Sequence, residues 1–302
     1  MNTTLVVLAA GLSSRFGAVG QKVVEGIGAN GEAICDYSVH DAIQAGFNKI
    51  VYVINEDRKD DFIQKVSSKV KGAEVVLAFQ NINDLPEGYA VPNGRTKPWG
   101  TCHALWAARH VVNEPFMVIS ADDFYGRGIF EGMHKFLTSN QGQGSFAMPG
   151  HMLGETVSDH GSVSRAVCDV DPQGYVRQMR EIRQITKEGD KIGYQLGEDF
   201  ITLPADAVVN MLAFGFTPAI FGEIKNGFGD FYQNYGHDLT AEYYLNSIVL
   251  KLILNGHATM KVLPVNPIDR WIGITYQSDL EAAKQTIAQL TQAGKYPKKL
   301  FE

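Results

Sequence analysis

Leu8-Ala-Ala-Gly-Leu-Ser-Ser-Arg-Phe-Gly17 follows directly on a continuous apolar run, Thr4 to Ala10. Small residues at the end of such a run let backbone N–H groups approach a polyphosphate closely. Arg15 adds a fork of donors for phosphate oxygens, and Lys22 adds a second positive charge. Gly11 and Gly17 do not make G-x-G-x-x-G, and no Gly-Lys-Ser/Thr follows, so neither common phosphate loop is present. A tight turn with a solvated Arg would explain the Gly and Ser residues alone. Arg15 and Lys22 together favour phosphate.

A second cluster is Ser120-Ala-Asp-Asp-Phe-Tyr-Gly126, after the apolar run Phe116 to Ser120. Two adjacent carboxylates at a strand's end are costly unless they face water or hold a cation. Magnesium, which needs one or two carboxylates plus substrate phosphates, suits such a pair. An Asp capping the turn before Gly126 explains it equally well. In Lys97-Pro-Trp-Gly-Thr-Cys-His-Ala-Leu105, Gly100 and Thr101 stand where a helix would start and its free N–H groups could face a ligand. A capped helix is the simpler reading of that stretch taken alone. Gln80 carries the paired donor and acceptor that read a base edge. None of the histidines makes a metal-ligand spacing; His103, His134, His151 and His237 read as surface or packing residues. Trp99, Trp106 and Trp271 read as core or pocket walls, and no nucleophile elbow is visible.

The elements that must position these residues alternate in the first half. Thr4–Ala10, Lys49–Ile54, Glu74–Phe79 and Phe116–Ser120 are apolar runs of buried-strand type. Helices are expected over Asp36–Gly46, Asp57–Val70 and Thr101–Val112. Strands alternating with helices predict a mostly parallel sheet with right-handed crossovers. The polar, Pro-rich stretch from Asn81 to Gly100 is long for a compact fold; its length, its Pro and Gly content and its place between Gln80 and Gly100 predict that Asn81 to Trp99 is a mobile flap that orders on nucleotide binding. After about residue 145 the rhythm changes. Val163–Val170 and Tyr175–Ile185 predict an antiparallel pair turning at Asp171 to Gly174. Val208–Phe216 predicts one strand, with helices near Pro218–Lys225 and Thr240–Asn255, a strand at Ala258–Val265 and a helix at Ser278–Ala293. The expectation is one α/β domain over 1–302, a mixed, mostly parallel sheet flanked by helices. Its 1–145 part would bind nucleotide and its 146–302 part the acceptor.

Composition sets the limits. The 302 residues are 45% hydrophobic and 20% charged, ordinary for a protein with a sizeable core. A net charge of −6 argues against nucleic acid as the main partner, since its phosphates demand a basic surface. Cys35, Cys102 and Cys168 show neither zinc spacing nor a disulfide framework. No apolar run is long enough for a signal peptide core or a membrane span, so a cytoplasmic protein is expected.

Together these motifs resemble the sugar-phosphate nucleotidyltransferase family, which includes glucose-1-phosphate uridylyl- and thymidylyltransferases. Leu8 to Arg15 matches its opening Leu-Ala-(Ala/Gly)-Gly-x-(Gly/Ser)-(Thr/Ser)-Arg, and Lys22 resembles its following Lys. Gln80 and Gly100-Thr-Cys102 resemble its Gln and Gly-Thr-Ala turn, and Ala121-Asp-Asp123 its metal-binding Gly-Asp-(Asn/Asp). Glu181, Asn210 and Gly215 resemble its sugar-contacting residues. Trp271 to Thr275 resembles its closing strand, but Gly273 or Thr275 stands where the family often has a second metal ligand.

The resemblance implies a Rossmann-like nucleotide-diphospho-sugar transferase fold and transfer of a nucleotidyl group to a sugar 1-phosphate, releasing pyrophosphate. UTP or dTTP is the triphosphate it favours, with Mg²⁺ as cofactor. It implies Arg15, Lys22 and Asp122 as catalytic residues, with Asp122 on the metal. Leu8, Ala9, Ala10, Gly11, Gln80, Gly100 and Thr101 would hold the nucleotide, and Glu181, Asn210 and Gly215 the sugar. The rival expectations are a choline or polyol phosphate acceptor, and a glycosyltransferase using a finished nucleotide sugar.

Overall fold

The structure is a computed structural model that describes residues 1–11, 26–139, 142–158, 161–266, 269, 271–273 and 277–301. The elements in chain order are β1 (Thr4–Leu8), α1 (Ile34–Ala45), β2 (Lys49–Ile54), α2 (Lys59–Lys65), β3 (Glu74–Phe79), α3 (Thr101–Trp106), β4 (Phe116–Ser120) and β5 (Asp123–Phe124). They continue with α4 (Arg127–Thr138), β6 (Ser145–Met152), β7 (Val163–Val170), β8 (Val176–Glu188), β9 (Lys191–Leu196), β10 (Asp199–Leu203), β11 (Val208–Asn210) and β12 (Phe214–Phe216). The last are α5 (Ala219–Tyr235), α6 (Leu245–Leu254), β13 (Thr259–Pro264), β14 (Ile272–Gly273) and α7 (Gln277–Gln292).

A twelve-stranded sheet runs in the order β10-β9-β8-β7-β11-β6-β12-β4-β1-β2-β3, with β13 beside β6. It is mixed α/β architecture. The four strands β4, β1, β2 and β3 pair in parallel, and from β12 outwards the main path is antiparallel. Strands buried on both faces divide their side chains by parity. Val6 and Leu8 enter a core with α3, α5 and α6, while Leu5 and Val7 enter another with α1, α2 and α4. Helix α1 ends where expected: Gly46, at φ 110°, donates its N–H to Ala42 and Ile43, and a Cβ there would stand 2.8 Å from the His134 ring.

Three elements depart from the sequence reading. The expected helix over 57–70 is broken by Val66, at φ −124° and ψ −71°, yet Phe62, Val66 and Val70 still reach the core. The expected strand over 208–216 splits in two, because Leu212 adopts φ 54°. Asn210 fixes that break, its Oδ1 accepting from Leu212 N–H (2.8 Å) and its Nδ2 donating to Ala213 O (3.0 Å). The chain thereby passes from one side of β6 to the other.

The third departure is α3, expected to run to Val112 but ending at Trp106. The stretch from 81 to 99, expected as a flap, is held by side-chain contacts in this structure. Trp99 is fully buried and donates Nε1–H to Ile82 O at 3.0 Å. Tyr89 packs edge-on to Phe228, and Tyr232 donates its hydroxyl to Ala90 O at 2.7 Å. Trp99 supplies enough apolar surface to anchor a segment whose overall composition is polar. Among the described residues no helix is long and apolar enough to cross a membrane.

Candidate active site

The carboxyl ends of β1, β2, β3 and β4 are laced together by Ala9 N–H to Val53 O (2.8 Å), Gln80 N–H to Ile54 O (2.9 Å) and Ala121 N–H to Leu8 O (3.1 Å). Asn55 Nδ2 adds a bond to Ala10 O at 3.0 Å. Above this rim opens a cleft of about 880 Å³, placed where α/β sheets bind ligands. Leu8, Ala10 and Gly11 line it. Ala9, also expected at the nucleotide, turns its side chain into the opposite core. A Cβ on Gly11 would meet none of the described residues within 4 Å, so they leave the backbone there open. Arg15 and Lys22 lie outside the described residues.

The two aspartates after β4 part company. Asp122 lines the cleft and accepts a hydrogen bond from Ser120 Oγ. Asp123 turns inward, its Oδ2 standing 3.3 Å from the Tyr125 hydroxyl. That hydroxyl accepts from Ser120 N–H (3.1 Å) and donates to Met211 O (2.9 Å). Burial pushes the Asp123 pKa well above the carboxylate range, Asp122 pushes it further, and the charge of Arg165 opposes both. A Cβ on Gly273 would stand 2.2 Å from the Trp271 ring and 3.0 Å from Asp123 Oδ1. No Asp or Asn fits at 273, and Thr275 lies outside the described residues.

Among the described residues no cluster of three or more His, Cys, Asp or Glu could cage a metal. Glu56, Asp57, Asp122 and Glu242 all line the cleft; of these Asp122 stands just past the end of β4 with Asp123 behind it, which fits an ion that arrives on substrate phosphates.

Gln80, Gly100 and Thr101 meet on the opposite wall. Gly100 has φ 93°, and a Cβ would stand 2.8 Å from Tyr243 O, so no other residue suits. Thr101 Oγ1 accepts from Leu245 N–H at 2.9 Å, which caps α6. The helix that begins at Thr101 has no side-chain cap of its own, so Thr101 serves the start of α6 and not the start of α3. Gln80 Nε2 lies 3.1 Å from His103 Nδ1, a buried partner that the sequence offered only as packing. Lys97 and Glu242 pair at 3.4 Å on the rim. Their separation of more than a hundred residues left no sequence signal.

None of the three residues expected at the sugar lines this cleft. Glu181 and Asn210 both register with Ala166, one on each side of β7. Glu181 is exposed and accepts from Asn246 Nδ2 at 3.4 Å. Asn210 is buried and its amide is committed to the β11–β12 break. Gly215 faces α4 instead of the cleft: a Cβ would stand 2.2 Å from Met133 Sδ, so close packing accounts for the glycine. Between Glu181 and Asp123 lies the charge of Arg165, buried, its Nε 3.2 Å from Thr156 Oγ1 and its guanidinium 5.0 Å over Trp271. Burial lowers the Arg165 pKa to about 10.

The family model for nucleotidyl transferases matches residues 5–181. The chain belongs to the nucleotidyl transferase family. The matched span contains Arg15, Lys22, Gln80, Gly100, Thr101 and Asp122, and it ends at Glu181, short of Asn210 and Gly215.

This nucleotidyl transferase shares its fold with solved structures at low identity. The inositol-1-phosphate CTP transferase from T. maritima is 14% identical, with a TM-score of 0.59 over 96% of both chains. A UDP-glucose pyrophosphorylase complexed with UDP-glucose is 14% identical, with a TM-score of 0.60 over 96% of this chain and 99% of that one. A putative glucose-1-phosphate thymidylyltransferase from Bacillus anthracis is 13% identical, with a TM-score of 0.59 over 94% and 95%. No curated protein matches the chain closely enough to count as a relative. The expected Rossmann-like, helix-flanked architecture is thus the one observed.

Proposed function

We propose that this nucleotidyl transferase moves a nucleoside monophosphate from UTP or dTTP onto the phosphate of a sugar 1-phosphate, releasing pyrophosphate. One observation carries the reading: Gly11, Gln80, Gly100 and Asp122, from four separate chain segments, line a single cleft at the carboxyl ends of parallel strands. In-line attack of the acceptor phosphate oxygen on the α-phosphorus needs positioning and charge neutralisation more than a covalent catalyst. The open backbone at Gly11 would receive the phosphates, with Arg15 binding the leaving pyrophosphate and Lys22 stabilising charge between the substrates. Gln80, Gly100 and Thr101 would seat the base. Asp122, with Asp123 behind it, would hold Mg²⁺, which supplies charge neutralisation to the phosphates.

Glu181 is the expected sugar residue that stays free of packing duties, so the acceptor is the least constrained part of this reading. A pyrophosphate-release screen crossing UTP, dTTP, CTP, GTP and ATP with sugar, polyol and choline phosphates tests it. The expected result is release with a sugar 1-phosphate and UTP or dTTP. Release only with polyol or choline phosphate would move the acceptor. No release from any pair, with a nucleotide sugar consumed instead, would establish the glycosyltransferase reading.

A further inference from the structure

Gln80 is held at its amide nitrogen by two groups that can only accept. Nε2 lies 3.1 Å from His103 Nδ1 and 3.5 Å from Gly100 O. The orientation of a glutamine amide is set by its network, and here the network decides it. His103 Nε2 lies 3.0 Å from Asp84 O, a backbone carbonyl. A carbonyl cannot donate, so His103 Nε2 carries the proton and the neutral ring leaves a lone pair on Nδ1.

His103 is 3% exposed, and burial lowers its pKa, which keeps the ring neutral. Asp84 is itself fixed by a two-pronged ion pair with Arg109, at 2.6 and 2.7 Å, and the Arg109 guanidinium lies 4.2 Å over Trp106. The chain Arg109–Asp84–His103–Gln80 therefore ends on an amide that cannot turn over without losing both of its acceptors.

We infer that His103 is a positioning residue that locks the Gln80 carbonyl toward the cleft, so the site takes a pyrimidine with an imide N–H and rejects cytosine. Uracil and thymine present N3–H at the centre of their pairing edge, where cytosine presents a lone pair. Oε1 of Gln80 has no partner among the described residues, and Gln80 lines the cleft. Against uracil that oxygen gains a donor. Against cytosine two acceptors face each other, and a polar group is desolvated without a partner. This selectivity rests on the nucleotidyl transfer proposed above, but it can be read from binding alone.

The test is equilibrium binding of UTP and CTP with Mg²⁺, by calorimetry, on the wild-type protein and on His103→Leu and His103→Asn. Wild type should favour UTP over CTP by roughly tenfold or more. His103→Leu, which deletes the acceptor, should cut that ratio to about threefold or less, chiefly by improving CTP. His103→Asn can place an amide oxygen near the position of Nδ1 and should keep most of the preference. A loss of packing alone would weaken both nucleotides together and leave the ratio intact. ¹⁵N NMR of the His103 ring in the wild-type protein gives a second reading that needs no variant to fold. It should show the neutral Nε2–H tautomer from pH 6 to 8. An Nδ1–H tautomer, or equal UTP and CTP binding by wild type, overturns the inference alone. Binding of neither triphosphate, nor of dTTP, GTP or ATP, overturns the proposed function as well.

Discussion

The guanidinium of Arg95 lies 3.5 Å over the ring of Trp99, both side chains being buried. Arg95 donates to four backbone carbonyls: Lys97 (3.0 Å), Asp238 (2.9 Å), Pro98 (3.2 Å) and Ala241 (2.6 Å). The long polar stretch between Gln80 and Gly100 is thus tied to the segment that leads into α6. Each of those carbonyls would lose its partner if Arg95 were removed, and the ring would lose its cover.

Arg95→Ala should therefore cost roughly 2–4 kcal/mol in chemical denaturation. In the wild-type protein, hydrogen exchange across 82–99 should be slow and should change little when UTP is added. Fast exchange that is quenched by nucleotide would restore the flap expected from composition.

Two buried ionisable groups set opposite pH dependences. Asp36 accepts from Ala33 N–H at 2.8 Å, but its Oδ1 is buried without a partner among the described residues, and burial raises its pKa from 3.8 to about 7. Between those values the unfolded chain gives up its proton first. The contribution of Asp36 is therefore full below pH 3.8 and is lost as pH rises toward 7, by an amount on the order of 4 kcal/mol. Asp36→Asn should leave stability near wild type at pH 4 and raise it at pH 8. His151 runs the other way. Burial lowers its pKa from 6.5 to about 4, so its contribution is full above 6.5 and is lost as pH falls toward 4, by on the order of 3 kcal/mol. His151→Leu should lack that acid slope. Denaturation midpoints across pH 4–8 for the two variants measure both.

Arg15 and Lys22 should have separable effects. Arg15→Ala should mainly raise KM for the triphosphate, while Lys22→Ala should lower kcat by roughly a hundredfold or more, because in the proposed mechanism its charge would act as the new bond forms. Wild-type kcat in Lys22→Ala at saturating substrates would remove Lys22 from the chemistry.

Period and burial made the parallel half legible. β2, β3 and β4 fall where their apolar runs stand; β2 and β4 are buried along nearly their whole length and leave an uninterrupted apolar signal, while β3 is a half-buried edge strand. The split of β11 from β12 was not legible: Val208 to Phe216 is one apolar run, and the break depends on the amide of Asn210 closing on Leu212 and Ala213. The part of the cleft expected to take nucleotide follows from short motifs next to strand ends, since each strand carries its motif to the same rim. The sugar side did not follow in the same way. Gly215 reads as a site glycine in one dimension, and only the approach of Met133 shows what it makes room for. His103 was unreadable as a partner of Gln80 because the bond crosses 23 positions between a strand end and a helix.

Asp122 and Asp123 offer the sharpest test of the site. Asp122 lines the cleft with Ser120 Oγ on its Oδ1, whereas Asp123 lies inward against Tyr125 and Gly273. Asp122→Asn keeps size and the hydrogen bond from Ser120 but removes the charge that would offset Mg²⁺. It should stay folded, lose activity by roughly a hundredfold or more, and need far more Mg²⁺, because an ion with so few protein ligands feels each one strongly. If Asp122 only caps the turn, Asn serves about as well, and neither turnover nor metal dependence should move. Asp123→Asn should be milder in turnover, since its carboxyl does not line the cleft, but it should alter stability through the Tyr125 contact. Titration of Mn²⁺ in the presence of UTP, followed by water-proton relaxation, reads the metal directly and does not depend on knowing the acceptor. Unchanged Mn²⁺ affinity in Asp122→Asn, together with full turnover, would remove Asp122 from the metal site and turn attention to the other carboxylates that line the cleft, Glu56, Asp57 and Glu242.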